Sequence, residues 1–489
     1  MLINLWMACL VGLLNPSWKT DSATVILHRA AGMAAPENTW PALVEAVRQG
    51  ADGVEIDVRK LADGSLVLHH DDWLPATPYG PGRSLETLPA PFARAIPIGR
   101  RWGSKWANEA MPELEPVLQF AVKNNLRLFL DLKTPGIVRK VETLVNKAGA
   151  RRLVVAVGGT GSFDGLKPLN WVKGWNYTDG GEEDPVRMSA VFSSASPDAA
   201  FMVDDARSIV MALRRSPEKR QLRRQPQVAA PDRPFVPPLP KSFEAKNGWI
   251  LTLRPRELST EALVRLAETH GDPQVRLDAV MALGNGAHIG AIPRLEKWFA
   301  RPEPKDPLRD PIGRPYYNTY LRTTIACALA AMPGPDSRKA LERLAALPVA
   351  FASEAIVTGL AARGRQEDLP TLARLVHSHP ATAGFALSFI GRFDAQAWPV
   401  LAAALRASGQ NRRQAVFMIA QVGDPILDRL VRELSTSNGD VQRSFAWALY
   451  WIESPRASRI RRELSLSNRM PADIKTILNF PRPHHSGNR

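Results

Sequence analysis

Four short apolar runs, each ending in charged or polar side chains, constrain most strongly what this 489-residue chain can fold into. The segments 36–50 and 116–124 have apolar side chains at helical spacing, which predicts a helix before the second run and before the fourth. Strands that alternate with helices favour parallel pairing, so we expect an α/β domain. The four runs have the β-branched and apolar composition of strands and lie at residues 24–27, 53–58, 65–68 and 126–133.

Polar side chains follow the predicted strands at their carboxyl ends, where (β/α) barrels place their active sites. Side chains alternate along a strand, so Glu55 and Asp57 share one face of the second strand. Taken singly, such a pair is more often a solvated surface feature, so the prediction rests on the whole ordered set. The residues expected to converge on one site are His28, Arg29, Glu55, Asp57, His70, Asp131 and Lys133.

The chemistry of this set suits a phosphate ester. Carboxylate oxygens bind hard divalent cations such as Mg²⁺ and Ca²⁺. A cation, with Arg and Lys beside it, offsets the negative charge that repels nucleophiles from a phosphodiester. Imidazole exchanges protons near neutral pH and therefore suits a general acid or base. The set thus predicts metal-assisted acid–base chemistry.

Several ordered segments resemble the glycerophosphodiester phosphodiesterase family. The resemblance covers roughly residues 24–133 and fades toward residue 213; ordered motifs at matching spacing are far more specific than any one motif. It implies a TIM-type (β/α) barrel, complete or shortened, and cleavage of a glycerol–phosphate–alcohol diester. The segments that carry it are His28-Arg29-Ala30 and residues 35–39, 50–58, 63–64, 67–71 and 112–118.

The resemblance implies a metal site for Mg²⁺ or Ca²⁺. Glu55 and Asp57 would be ligands, and Asp131 would be the third. Asp131 stands where the family usually has Glu in a Glu-x-Lys pattern, so its side chain is one methylene shorter. The barrel predicted over 24–213 is also shorter than the roughly 250 residues typical of the fold. The family's late Trp-x-x-Asn motif has no clear counterpart, the nearest segment being 188–192.

The same resemblance implies catalytic roles for four side chains. His28 and His70 would be the general acid and base, while Arg29 and Lys133 would hold phosphate oxygens. Either the glycerol hydroxyl, through a cyclic phosphate, or water would attack the phosphorus; the sequence leaves both open. The alternative is a non-catalytic scaffold or binding protein with a degenerate barrel.

The composition changes after the predicted barrel. Residues 214–255 are predicted to be a proline-rich basic linker, since residues 214–246 hold nine Lys or Arg against three Asp or Glu. From residue 256 to 466, amphipathic helices recur at intervals of 46, 31, 30, 29 and 30 residues, which indicates an α-solenoid. The pattern resembles HEAT-like repeats of the phycobilisome-lyase type, which implies a partner-binding surface but no lyase activity. Residues 467–489 are predicted to be a tail.

The net charge of the chain indicates which class of partner it could bind. A net charge of +15 favours an anionic partner, either a protein or a lipid surface, bound through the repeats and the linker. No recognition motif supports a nucleic-acid partner.

The apolar stretch from Leu2 to Leu14 within residues 1–23 has the length of a signal-peptide core and is shorter than the roughly 20 residues of a membrane span. Export is favoured over a cytoplasmic location; a helix packed on the barrel is the alternative.

Overall fold

The computed structural model describes the strands near the N-terminus and the helices of the C-terminal half. These residues form two compact units, the first drawn from Met1–Asp72, Leu88–Val236 and Ser408–Arg489 and the second from Trp73–Thr87 and Pro237–Ala407. The predicted leader, the linker at 214–255 and the segment 188–192 lie outside the described residues. The described residues are 24–32, 34–74, 83–88, 90–96, 98–99, 106, 108–159, 184, 186–187, 200–203, 258–301, 317–348, 352–407 and 409–480.

The first unit contains a six-stranded sheet. Five strands run parallel in the order β7-β6-β2-β1-β8, and β3 pairs antiparallel with the end of β2. The second unit contains the short antiparallel pair β4 and β5. The strands are β1 Thr24–Leu27, β2 Gly53–Lys60, β3 Leu66–Leu68, β4 Trp73–Leu74, β5 Arg83–Ser84, β6 Arg127–Leu132, β7 Val154–Gly159 and β8 Ala200–Val203.

Helices that follow or precede these strands cover the sheet. Thr39 is the N-cap of the first helix, which ends at Arg48 as its apolar spacing predicts. Trp40 in this helix packs edge-on against Phe120 in the helix before β6, with ring centroids 5.8 Å apart. Both rings belong to the buried core of the first unit. The helices of this part are α1 Trp40–Arg48, α2 Ala90–Ala95, α3 Leu114–Asn124 and α4 Val138–Lys147.

The third strand does not follow the parallel pattern of the others. No helix separates it from β2; Asp63 accepts a hydrogen bond from the main-chain N–H of Ser65, and the turn reverses the chain. Val58 therefore lies opposite Leu68 in an antiparallel ladder. The parallel pairing expected of strands separated by helices is confirmed for β1, β2 and β6. β3 follows a tight turn, which allows only antiparallel pairing.

The C-terminal half is helical, and helices occur in the segments where the repeat pattern predicts them. In the second unit α6, α8, α10 and α12 pack one on the next, and in the first unit α14, α16 and α18 do the same. The helices are α5 Thr260–Thr269, α6 Pro273–Asn285, α7 Ile292–Ala300, α8 Tyr317–Ala331, α9 Pro335–Ala345, α10 Ala352–Arg363, α11 Leu369–Ser378, α12 Ala383–Ile390, α13 Trp398–Leu405, α14 Gly409–Val422, α15 Leu427–Thr436, α16 Gly439–Trp451, α17 Pro455–Leu466 and α18 Ala472–Asn479.

Two boundaries differ from the prediction. The helices from Gly409 onward group with the sheet, whereas the sequence placed all repeats in one domain after residue 256. The predicted tail from residue 467 contains helix α18, whose buried Ile474, Ile477 and Leu478 pack it against the preceding helices. Among the described helices, none is long and apolar enough to cross a membrane.

Glycines let α8 lie very close to both of its neighbours in the second unit. A Cβ added at Gly284 in α6 would lie 2.5 Å from the main chain of Ala328. One added at Gly359 in α10 would lie 2.7 Å from the carbonyl oxygen of Ala326. Real side chains do not approach this closely, so glycine at these two positions sets the spacing of the three helices.

Candidate active site

Three carboxylates meet at the carboxyl ends of β2 and β6. Glu55 and Asp57 lie on β2 and are 3% and 1% exposed, and Asp131 lies on β6 directly opposite Asp57. Each offers an oxygen within 4.8 Å of the others. The expectation that strand alternation and parallel pairing bring these side chains together therefore agrees with the structure.

Burial and the neighbouring acids both act on the Glu55 carboxylate. Burial raises the pKa of Glu55 well above its usual range, and repulsion from Asp57 and Asp131 raises it further. The hydrogen bond from the main-chain N–H of Arg29 opposes this rise without cancelling it. A buried acidic cluster of this kind is stable only beside compensating positive charge.

Lys133 supplies part of that charge. Its Nζ lies 2.6 Å from Oδ2 of Asp131 and 3.2 Å from Oδ1 of Asp57. Burial would lower the pKa of Lys133, but the two carboxylates outweigh burial and raise it, so the ammonium remains charged. The Lys133 ammonium thus contacts two of the three carboxylates. Oxygen ligands at this spacing fit a hard divalent ion.

The end of β1 directs two predicted residues at the cluster. Arg29 has a left-handed backbone with φ of 50°, which turns its main-chain N–H toward Oε2 of Glu55 at 2.9 Å. Its guanidinium pairs with Glu37 at 3.0 Å, and its Nε lies 3.7 Å from Oδ2 of Asp57. His28 Nε2 lies 3.9 Å from Oε2 of Glu55. Arg29 and His28 therefore lie beside Glu55 and Asp57, two carboxylates of the predicted site.

The main chain of His70 is held beside β2, while its ring contacts Asp71. The main-chain N–H of His69 donates to the carbonyl of Asp57 at 3.1 Å, which brings the end of the β2–β3 hairpin beside the cluster. Arg59 donates two hydrogen bonds to the carbonyl of His70, while the His70 ring pairs with Asp71 at 2.8 Å. The backbone of His70 is thus anchored to β2, and its ring is bonded to Asp71.

Sequence reasoning missed the contribution of the loop before α1. Glu37 is not among the residues expected to converge on the site, yet it pairs with Arg29, while Thr39 is the N-cap of the helix. Asn38 was not considered, although it makes two hydrogen bonds to Asp57. The only signal in the sequence was the Pro-Glu-Asn-Thr segment, which also belongs to the resemblance.

Comparisons with known proteins agree with the location of this site. Residues 28–159 match the profile of the Glycerophosphoryl diester phosphodiesterase family, and this segment contains every predicted site residue. Glycerophosphodiester phosphodiesterase 1 of Bos taurus is 34% identical over 114 residues, 23% of this chain and 34% of that protein. Glycerophosphodiester phosphodiesterase of Caldanaerobacter subterraneus is 32% identical over 122 residues, 24% of this chain and 50% of that protein.

The similarity is confined to part of each protein. The chain spans about a third to a half of the length of these relatives. A solved glycerophosphodiester phosphodiesterase from Agrobacterium tumefaciens is 29% identical, with a TM-score of 0.25, and the match covers 28% of this chain and 56% of that one. By its family profile and by these relatives, the segment 28–159 is similar to proteins named glycerophosphodiester phosphodiesterases.

Proposed function

We propose that this protein is a divalent-metal-dependent phosphodiesterase that hydrolyses glycerophosphodiesters to an alcohol and glycerol phosphate. The observation that carries the proposal is the buried group of Glu55, Asp57 and Asp131, with Lys133 bridging two of them. The group lies within the segment that resembles glycerophosphodiester phosphodiesterases. Neither the burial of the acids nor the paired cations are features of an ordinary solvated strand.

The three carboxylates would hold Mg²⁺ or Ca²⁺, which supplies charge neutralisation at a phosphate oxygen when bound. Arg29 and Lys133 add positive charge beside the acids and would hold the remaining phosphate oxygens. Both cations are oriented by carboxylates before substrate arrives, so little reorganisation is needed in the transition state. This is the electrostatic part of the mechanism.

Proton transfer would fall to the two histidines. His28 stands beside Glu55, with its Nε2 3.9 Å from Oε2 of that carboxylate. His70 pairs through Nδ1 with Asp71, which leaves Nε2 to exchange a proton with the substrate. One imidazole would remove the proton of the attacking oxygen, and the other would protonate the departing alkoxide. Attack by the glycerol hydroxyl and attack by water both fit these roles.

We infer that the sheet is part of a (β/α) barrel. β1 pairs with β2 on one side and with β8, the last strand described, on the other. A first strand flanked by the second and the last is the neighbour relation of a closed barrel. This relation supports the proposal, and the strand contacts that would complete closure lie outside the described residues.

We further infer that the helices form HEAT-like repeats that bind a partner. The stacking of alternate helices in each unit supports this architecture. On α17 and just after it, Arg459, Arg462, Leu466 and Arg469 recur at intervals of three, four and three residues, and all are exposed. Leu466 is 76% exposed, an unusual environment for a leucine. Cations around an exposed leucine favour an anionic phospholipid surface as the partner.

Export remains a proposal that rests on the apolar stretch from Leu2 to Leu14. Fusion of residues 1–23 to a reporter that is active only outside the cytoplasm tests it. Reporter activity is expected, and a fully cytoplasmic reporter would contradict export.

The enzymatic proposal is tested on the purified full chain with a panel of glycerophosphodiesters that includes glycerophosphocholine. We expect alcohol release that requires Mg²⁺ or Ca²⁺, stops on chelation and returns when the cation is restored. The variant Glu55→Gln serves as the inactive control. If no diester in the panel is cleaved with either cation, the scaffold alternative is supported instead.

A further inference from the structure

We propose that Asn38 is a positioning residue that fixes the Asp57 carboxylate for cation binding, an inference that rests on the proposed function. Asn38 lies in the loop between β1 and α1 and is 1% exposed. Its Nδ2 donates to Oδ2 of Asp57 at 2.8 Å, and its Oδ1 accepts from the main-chain N–H of Asp57 at 3.1 Å. One side chain therefore holds both the backbone and the carboxylate of a predicted metal ligand.

The two hydrogen bonds permit only one orientation of the Asn38 amide. The main-chain N–H of Asp57 can only donate, so it must face the amide oxygen. The amide nitrogen is then left to face the carboxylate, which can only accept when ionised. A flipped amide would set donor against donor and acceptor against acceptor. The pairing thus requires one donor and one acceptor on the same side chain, which Asn provides and Asp does not.

The two oxygens of Asp57 consequently have different surroundings. Oδ2 receives Asn38 Nδ2 and lies 3.7 Å from Nε of Arg29. Oδ1 lies 3.2 Å from Nζ of Lys133, the ammonium that also pairs with Asp131. By holding Oδ2, Asn38 leaves Oδ1 to face the Lys133 ammonium. Partners that orient a ligand in this way typically change metal affinity or activity by about 10–100-fold when removed.

A purely conformational role is the competing interpretation. Asn38 has a left-handed backbone with φ of 55°, which asparagine and glycine tolerate better than other residues. Asn125, which follows α3, has φ of 48° and is exposed. It shares the backbone requirement of Asn38 but lies on the surface at a helix end, and it is the matched control.

The experiment compares Asn38→Gly, Asn38→Asp and Asn125→Gly in the full chain. Glycine keeps the left-handed backbone but removes both hydrogen bonds. Aspartate keeps the acceptor and places a carboxylate oxygen against Oδ2 of Asp57. The readouts are calorimetric titration of metal-free protein with Mg²⁺ and with Ca²⁺, the melting temperature, and kcat and KM on the diester that the wild type cleaves.

We expect Asn38→Gly to weaken cation binding by about 10–100-fold and to lower kcat. We expect Asn38→Asp to lower kcat as well, because its side chain cannot donate to Asp57 when ionised. Asn125→Gly should match the wild type in cation affinity and in kcat. A role in folding alone would lower the melting temperature of Asn38→Gly without changing cation affinity below that temperature.

Wild-type cation affinity in a folded Asn38→Gly variant would overturn the proposal, and so would a wild type that binds neither cation. A wild type that binds a cation but cleaves no diester would contradict the proposed function and leave the role of Asn38 to be decided by the affinities. The calorimetric and kinetic readouts therefore separate the two failures.

Discussion

Asp57 and Asp131 lie directly opposite each other on neighbouring parallel strands. Their carboxylates lie on the same face of the sheet, and Lys133, two residues beyond Asp131, places its ammonium against both. The register of β2 and β6 thus brings together two members of the acidic cluster that are 74 positions apart in the chain. A shift of one residue in this register would move one carboxylate to the other face of the sheet.

Position 131 should tolerate glutamate, the residue that the similar family usually has there. Asp131→Glu keeps the charge and one oxygen for the cation, so we expect it to retain measurable metal-dependent activity. Asp131→Asn keeps the size but removes the charge and should weaken cation binding by more than about 100-fold. Calorimetry and diester hydrolysis measure both effects. Equal affinities in Asp131→Asn and the wild type would exclude Asp131 as a ligand.

The two histidines should be required for turnover but not for folding. His28→Ala and His70→Ala are each expected to lower kcat by about 10²–10⁴-fold, the usual contribution of a general acid or base. His69→Ala is the neighbouring control and should retain most activity, because it keeps the main-chain N–H that donates to Asp57 and removes only a ring that contacts the carbonyl of Asp71. Far-ultraviolet circular dichroism checks that each variant is folded. Full activity in either His28→Ala or His70→Ala would remove that residue from the mechanism.

Lys133 should contribute most to thermal stability when no divalent cation is bound. Lys133→Met removes the ammonium between Asp57 and Asp131, and we expect the metal-free protein to melt roughly 3–10 °C lower because two charge-assisted contacts are lost. Added Mg²⁺ or Ca²⁺ should then raise the melting temperature more than in the wild type. Lys147→Met, which breaks an exposed pair with Glu115, is the control and should change little. Identical cation-induced shifts in Lys133→Met and the wild type would count against a shared site.

The close approach of α8 to its neighbours predicts intolerance of side chains at two glycines. Gly284→Ala and Gly359→Ala should each lower the free energy of unfolding by about 1–3 kcal/mol, because the helices must separate to admit a methyl group. Gly290→Ala is the control, since a Cβ there meets nothing within 4 Å. Urea denaturation of the full chain measures the differences. Equal stability of all three variants would contradict the packing described for these helices.

Much of the site was predictable because it depends on local patterns. Apolar runs followed by polar residues located β1, β2 and β6, and alternation along β2 placed Glu55 beside Asp57. The direction of β3 did not follow from strand–helix alternation, because a turn at Asp63 rather than a helix connects it to β2. The role of Asn38 was not foreseen because it depends on a left-handed backbone and on a contact with a strand 19 residues away.

The most direct test of the account is to soak crystals of the full chain in Mn²⁺ and determine the structure. Oxygen ligands bind this divalent ion, and anomalous scattering locates it. The account predicts one anomalous peak within about 2.0–2.4 Å of oxygens from Glu55, Asp57 and Asp131. A well-ordered structure with these carboxylates free of the ion, and Lys133 still bridging Asp57 and Asp131, would contradict it.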